Sequence, residues 1–266
     1  MANGCEKCGF QGFYIDDNNK IVRCECVTKK IIQSMYENVG IPKFLFNASF
    51  DQYNINETGL PTNSQVVGRS DAKQKEKVRT CLLAICKQIK NVIGNNDFFK
   101  IGGGDVVGEM WHGSTIILSG GRSSGKSLLS ACIAKEALKE KIMPKIFQWA
   151  TIVDACYAFK TDNFEEVRYE LSERKFIIIE NFTNYDKPID DGSNTSNGSL
   201  FSKRRFDTLF EYIYKHGTPT IITTSLTPQQ LNQQQMYGPL LSSILVGGYK
   251  IPLPSVKLEN THNTMQ

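Results

Sequence analysis

No stretch of this 266-residue chain approaches the roughly 18 consecutive apolar residues that a membrane-spanning helix needs. The start of the chain, Met1 to Phe10, has no apolar segment behind a basic one. We therefore expect a cytoplasmic protein with no secretory signal and no contact with membranes. The chain also lacks a large excess of charge of either sign. Its net charge of +4 is too small to predict nucleic-acid binding by itself. The sequence contains no internal repeat of about 20 to 50 residues, which is the pattern of a solenoid.

After residue 70 the sequence alternates between short apolar segments and amphipathic helical patterns. Residues 176–179 are apolar throughout, as are strands buried on both faces of a parallel sheet. The alternation predicts an α/β fold with a doubly wound parallel sheet. The predicted strands are 115–118, 145–149, 176–179, 220–224 and 249–253, and the predicted helices are one that begins at Ser70 and Asp71, 126–141 and 206–214.

Two polar stretches divide this pattern. Residues 54–70 have the composition of a linker, and residues 184–199 carry too little apolar surface to offset the entropy of ordering, so we expect a mobile loop there. The predicted domains are an N-terminal module with its connector, 1–60, and a nucleotide-binding domain, 61–266. A short helix is expected to begin near Ile31, inside the connector.

The segment 120–127 matches the phosphate-binding pattern G-x-x-x-x-G-K-[ST] in full, between a predicted strand and a predicted helix. Its glycines let backbone N–H groups surround phosphates, and the helix directs its positive end at them. Lys126 is predicted to reach the β and γ phosphates and Ser127 to bind Mg²⁺. We predict ATP as the nucleotide; a chance turn is disfavoured by the flanking elements. The predicted nucleotide-binding segment is Gly120, Gly121, Arg122, Ser123, Ser124, Gly125, Lys126, Ser127 and Leu128.

Two further polar positions follow apolar segments, as in P-loop ATPases of the additional-strand type. Glu180, predicted to end a strand that neighbours the P-loop strand, stands where an aspartate usually holds the metal's water shell. Asn181 replaces the carboxylate that polarises the attacking water, and an amide orients water without accepting its proton. Thr224 or Ser225 is predicted to supply a hydroxyl beside the γ-phosphate. The site is thus predicted to bind ATP and to hydrolyse it slowly or not at all.

Four of the eight cysteines crowd into the polar N-terminal stretch, as Cys5-x-x-Cys8 and Cys24-x-Cys26. Two close thiol pairs across a turn-rich hairpin are typical of tetrahedral Zn²⁺, although the second pair has one spacer residue instead of the usual two. Reduced, unliganded thiols are the alternative. Redox catalysis by the first pair is disfavoured because no βαβ pattern surrounds it. The scattered cysteines are expected to be core residues.

With these cysteine pairs, the segment Asn47-Ala-Ser-Phe50-Asp-Gln-Tyr53 and the three nucleotide motifs in order, the chain resembles the DnaC/DnaI-type replicative helicase loaders, especially phage and prophage members with an N-terminal zinc module. The resemblance implies an AAA+ fold, an N-terminal domain that binds a replicative DNA helicase, contact of the ATPase domain with single-stranded DNA, and ATP-dependent formation of a homo-oligomer. It predicts delivery of the helicase to single-stranded DNA during replication initiation.

The chain departs from that family in ways that bear on catalysis. An asparagine usually closes the sensor strand, where this chain has Ser225. The family's arginine that reaches a neighbouring subunit's ATP is replaced in 241–245, and no arginine follows Arg205. An arginine finger contributes about 10³ to 10⁵ in rate, and Lys250 or Lys257 would replace it less well. Two alternatives stay open: a catalytically silent loader mimic that sequesters the helicase, and an IstB-like transposition helper ATPase, which generally lacks a zinc module.

Candidate contact residues complete the sequence-based expectations. Exposed aromatic side chains at Phe10, Phe13 and Tyr14 would anchor the helicase, so residues 1–60 are predicted to bind it and residues 70–266 are not. The basic run Lys203, Arg204 and Arg205 is either a contact for DNA phosphates or a solvated helix start.

Overall fold

The structure, a computed structural model, describes residues 5–9, 11–53, 69–95, 98–101, 111–157, 161–183, 197–232 and 238–254. The chain forms two compact units, Met1–Asn47 and Ala48–Gln266. This division places the segment Phe50–Tyr53 in the second unit, whereas the sequence-based boundary at residue 60 lies outside the described residues. None of the described helices is long and apolar enough to cross a membrane.

The N-terminal unit is built on an antiparallel hairpin. Its turn is closed by the Asp16 carboxylate, which accepts hydrogen bonds from the backbone N–H groups of Asn18 (3.0 Å) and Lys20 (2.9 Å). The helix of this unit starts earlier than the sequence pattern suggests, because it follows Cys24, whose backbone is extended, and it ends at Gly40 in the left-handed conformation. The elements are β1 (Phe13–Ile15), β2 (Ile21–Arg23), α1 (Glu25–Val39) and a 3-10 helix, Lys43–Leu45.

The second unit contains a central sheet with helices on both faces. Its described elements, in chain order, are a 3-10 helix (Phe50–Tyr53), α2 (Arg69–Gly94), β3 (Phe99–Ile101), β4 (Trp111–Gly113), β5 (Thr115–Ser119), α3 (Lys126–Lys139), β6 (Lys145–Gln148), α4 (Trp149–Tyr157), α5 (Thr161–Glu173), β7 (Ile177–Phe182), α6 (Asn197–His216), β8 (Thr220–Thr224), α7 (Pro228–Asn232), α8 (Pro239–Gly247) and β9 (Tyr249–Pro252).

The central sheet has five parallel strands in the order β6-β7-β8-β5-β9. This order confirms the doubly wound α/β fold and has the additional strand of AAA+ type P-loop ATPases. It also corrects one expectation: the strand of Glu180, β7, is not the neighbour of the P-loop strand β5. Strand β8 lies between them and pairs with both, with Ile222 opposite Ile117 on one side and Ile179 on the other.

The core packs on both faces of this sheet, since the strands alternate their side chains between α3 on one side and α4 to α8 on the other. Trp149 is the centre of the second layer, with its ring centroid 4.6 Å from that of Phe182 and 5.6 Å from that of Phe206. The predicted strand 145–149 therefore ends one residue early, because Trp149 begins α4 and is buried in that layer.

Some sequence-based expectations fall on residues that the structure does not describe. These are 54–68 of the predicted linker and 184–196 of the predicted loop. Helix α2 begins at Arg69, next to the predicted start, and helix α6 begins at Asn197, so the last residues assigned to the loop are helical. The helices α1, α4, α5, α7 and α8 extend or add to the predicted set.

Candidate functional site

The predicted P-loop lies between β5 and α3, at the carboxyl ends of the parallel strands. Ser123 (φ 64°) and Gly125 (φ 86°) adopt the left-handed backbone conformation, which is costly for serine and is typical of functional loops. The Gly120 N–H donates to the Thr224 carbonyl at 3.0 Å and so ties the loop to β8. This curled backbone, which opens directly into the N-terminus of α3, can surround an anion.

The Lys126 ammonium lies within this loop. It donates to the carbonyl oxygens of Gly120 and Gly121, both at 2.7 Å, and approaches the Ser124 hydroxyl at 3.4 Å. Burial lowers the pKa of Lys126. If the loop held a triphosphate, the ammonium would bind the phosphates in place of these carbonyl oxygens, as the sequence predicts for Lys126. Ser127 and Leu128 follow in the first turn of α3, and Arg122 is exposed at the tip of the loop.

An amide network links the two polar residues of β7. Gln148, the last residue of β6, pairs in register with Glu180, and its Nε2 donates to Glu180 Oε2 at 3.0 Å. Its Oε1 accepts a hydrogen bond from Asn181 Nδ2 at 2.9 Å. Burial raises the pKa of Glu180, and the bond from Gln148 opposes that effect. Gln148 thus positions both side chains, a role that sequence reasoning missed because no motif marks it.

The backbone at Asn181 separates these side chains. The β7–β8 register shifts between Ile179 and Phe182, and Asn181 has a φ of 60° while its N–H donates to Thr223 Oγ1 at 3.1 Å. As a result Glu180 is buried, and Asn181 is exposed at the strand end. An exposed amide beside a buried carboxylate can orient water without removing its proton.

The two hydroxyls at the end of β8 have different environments. Thr224 is fully buried, and its hydroxyl donates to the Phe182 carbonyl at 2.6 Å and accepts from the Leu226 N–H at 3.0 Å. Ser225 is exposed. Because it is exposed, Ser225 is the better candidate of the two for contact with a phosphate. The Thr224 hydroxyl instead forms a hydrogen bond between β8 and β7.

These groups lie at one edge of the sheet. Strands β5, β7 and β8 are parallel. The P-loop and Ser225 follow the carboxyl ends of β5 and β8, and Glu180 and Asn181 lie near the carboxyl end of β7. Ligands of open α/β sheets bind at this edge. The structure therefore brings together the three motifs that are separated in sequence.

Two of the basic residues that the sequence singled out, Arg205 and Lys250, are engaged in contacts within the fold. Arg205 Nη1 lies 3.4 Å from the carbonyl oxygens of Ala155 and Cys156 in the last turn of α4, and its guanidinium lies 4.5 Å from the Phe164 ring centroid. It stabilises α4, which removes it from the proposed contact with DNA. Lys250 Nζ donates to the Val246 carbonyl at 3.0 Å, and Lys257 lies outside the described residues.

The segment 241–245, where the loader family carries its arginine, forms part of α8. Leu241 and Leu245 are fully buried in the layer around Trp149. The Ser243 hydroxyl donates to the Pro239 carbonyl at 2.9 Å within the same helix. This segment therefore packs against the core and offers no cation.

The four N-terminal cysteines converge. Cys5 and Cys8 lie in the turn before β1, and Cys24 and Cys26 lie where β2 leads into α1. Their sulfur atoms all lie within 4.8 Å of one another, with Cys5 and Cys24 3.6 Å apart and Cys8 and Cys26 3.4 Å apart. Ligands about 2.3 Å from a tetrahedral zinc are about 3.8 Å apart, so these thiols fit zinc and are too distant for disulfides.

No protein-family model and no curated protein matches the sequence. Solved structures similar to this chain include DnaI, at TM-score 0.48 and 16% identity over 81% of this chain and 92% of that one. The DnaC helicase loader is similar at TM-score 0.44 and 14% identity over 80% and 100%. AMPPCP-bound DnaA from Aquifex aeolicus is similar at TM-score 0.45 and 13% identity over 80% and 51%.

Proposed function

We propose that this chain is an ATP-binding helicase loader or loader-like adaptor that delivers a replicative DNA helicase to single-stranded DNA during replication initiation. The observation that carries the proposal is the convergence of the P-loop, Glu180, Asn181 and Ser225 at one sheet edge. The N-terminal cysteines and the segment Phe50–Tyr53 add the sequence resemblance to loaders. Lys126 would bind the β and γ phosphates, Ser127 would bind Mg²⁺, and Glu180 would hold its water shell. ATP would also drive assembly of a homo-oligomer.

Hydrolysis is expected to be far slower than in a competent P-loop ATPase, because Asn181 cannot act as a base and α8 offers no arginine. The substitution Asn181→Glu is expected to raise turnover by about tenfold or more, part of the ~10² to 10⁴ that a positioned general base contributes. Steady-state phosphate release measures it. The matched control Asn181→Gln lengthens the side chain without adding a base and should leave the rate unchanged. Fast turnover by the unmodified chain would contradict the proposal that a catalytic group is missing.

The surface proposed to bind the helicase is one face of the N-terminal hairpin. Phe13 and Ile15 alternate with Tyr14, and Ile21 pairs with Ile15, so Phe13, Ile15 and Ile21 share a face. They are 56%, 67% and 79% exposed. Apolar side chains exposed together favour a protein contact. Phe10 lies outside the described residues, and Tyr14 is only half-exposed on the opposite face.

Replacing Phe13→Ser together with Ile21→Ser in the full-length chain is expected to weaken helicase binding by at least about tenfold, because buried apolar anchors dominate interface energies. Pull-down with the hexameric replicative helicase, followed by titration, measures it. Phe44→Ser is the matched control, since Phe44 belongs to the same unit, is 81% exposed and lies off the hairpin. Undiminished binding by the double variant, or equal loss in the control, would reject this surface.

The second candidate is the catalytically silent mimic that sequesters the helicase. It is favoured by the exposed amide of Asn181 and by the buried leucines of α8. Turnover measured with helicase and single-stranded DNA separates the two functions, because a loader should be stimulated and a mimic should stay silent. The cysteine cluster disfavours the third candidate function, an IstB-like transposition helper ATPase, because such helpers generally lack a zinc module.

A further inference from the structure

The 3-10 helix Phe50–Tyr53 and the residue Ala48 before it contact helices of the P-loop domain through two polar interactions. The Asp51 carboxylate pairs with the Arg79 guanidinium of α2 at 2.6 Å, and Lys135 Nζ of α3 donates to the Ala48 carbonyl at 2.6 Å. The side chains of Phe50 and Tyr53 are buried. The segment is thus anchored on the same helix that begins at the P-loop.

The Tyr53 ring lies directly against the P-loop. A β-carbon added at Gly125 would lie 2.8 Å from Tyr53 Cε2 and 3.0 Å from Cδ2. Cε2 is bonded to the carbon that carries the phenolic hydroxyl, so the polar end of the ring is beside the residue that precedes Lys126. Only glycine fits at position 125, both because of this contact and because its φ is 86°.

The Tyr53 hydroxyl is buried and, within the described part of the chain, has no hydrogen-bond partner. Burial raises its pKa to about 12, so it stays protonated and is able both to donate and to accept a hydrogen bond. A buried polar group without a partner is uncommon, because leaving it unpaired is costly. A hydroxyl of this kind beside a phosphate-binding loop suggests that its partner arrives with the ligand.

We propose that Tyr53 binds the nucleoside part of the nucleotide, its hydroxyl forming a hydrogen bond with the base or the ribose of the triphosphate held by the P-loop. The inference rests on the proposed ATP binding. The P-loop backbone and Lys126 contact phosphates, which all nucleoside triphosphates share, so recognition of the nucleoside requires another polar group. Tyr53 supplies that group from a fixed segment next to Gly125.

The test is titration calorimetry of the full-length chain with Mg²⁺ and ATP, GTP, 2′-deoxyATP or inorganic tripolyphosphate. Tyr53→Phe is expected to weaken ATP binding about three- to tenfold, the worth of one hydrogen bond, and to leave tripolyphosphate binding unchanged. A base contact should make ATP and GTP bind more equally in the variant. A ribose contact should make ATP bind like 2′-deoxyATP. Tyr169→Phe, an exposed tyrosine of the same unit, is the control and should change nothing.

The melting temperature without nucleotide separates recognition from a structural role. Removing an unpartnered hydroxyl should leave it unchanged or raise it, whereas removing a hydroxyl that stabilises the fold would lower it. The role of Tyr53 would be overturned if Tyr53→Phe bound ATP as tightly as the unmodified chain does. It would also be overturned if Tyr53→Phe lost as much affinity for tripolyphosphate as for ATP. If the unmodified chain bound neither ATP nor tripolyphosphate, the phosphate site itself would be overturned instead.

Discussion

Removal of zinc is expected to unfold the N-terminal unit, Met1–Asn47, and to leave the nucleotide-binding unit folded. The N-terminal unit buries few apolar side chains among its described residues, namely those of Cys8, Cys24, Val39 and Ile41, while Phe13 and Ile21 are exposed. A structural zinc site contributes about 10 to 16 kcal/mol of apparent binding free energy, which exceeds what so small a core supplies. Chelation followed by hydrogen exchange should show protection lost in residues 5–47 alone.

Metal analysis gives the stoichiometry that this prediction requires. Protein purified without chelator should contain one zinc per chain, and the double substitution Cys24→Ser and Cys26→Ser should remove it. Cys81→Ser is the matched control, because Cys81 lies on α2, outside the cluster, and its loss should leave the zinc content unchanged. Zinc-free protein, or full zinc content in the double variant, would refute the site.

The second large effect is expected at the P-loop lysine. Saturating ATP and Mg²⁺ should stabilise the unmodified chain by about 2.7 kcal/mol when the ligand is at 100 times its dissociation constant, a shift of several degrees in melting temperature. Lys126→Ala should abolish this shift, because we propose that its ammonium, which lies within the loop, binds the phosphates. Differential scanning fluorimetry with and without nucleotide measures both values.

A matched lysine on the same helix tests the specificity of that loss. Lys139 pairs with Glu136 at 2.6 Å near the far end of α3 and is largely exposed, so Lys139→Ala should keep the full shift. A shift of the same size in Lys126→Ala would show that Lys126 does not bind the nucleotide.

The features that could be predicted from the sequence are those encoded by neighbouring residues. The P-loop pattern occupies one continuous segment, so its strand, loop and helix follow from spacing alone, and the structure confirms them at β5 and α3. The paired spacing of Cys5 with Cys8 and of Cys24 with Cys26 likewise indicated one cluster, and their sulfur atoms converge. Apolar runs indicated a parallel sheet because strands buried on both faces need them.

The tertiary structure decided the features that depend on distant segments. Gln148 is an ordinary strand residue in sequence, and only the pairing of β6 with β7 places its amide between Glu180 and Asn181. Trp149 continues an apolar strand pattern, yet it begins α4 because its ring packs against Phe182 and Phe206.

The same holds for strand order and for side chains whose partners come from other elements. Local patterns do not specify that β8 inserts between β5 and β7, since hydrogen bonding between strands is set by packing of the whole sheet. The sequence suggests that Arg205 is a surface cation, whereas in the structure its guanidinium contacts backbone carbonyls of α4. Tyr53 reads as part of a connector until α3 places Gly125 against its ring. The sequence by itself determined the P-loop pattern and the grouping of the four cysteines, because both are local. The neighbours of Gln148, Arg205 and Tyr53 required the fold, because they are distant in the chain.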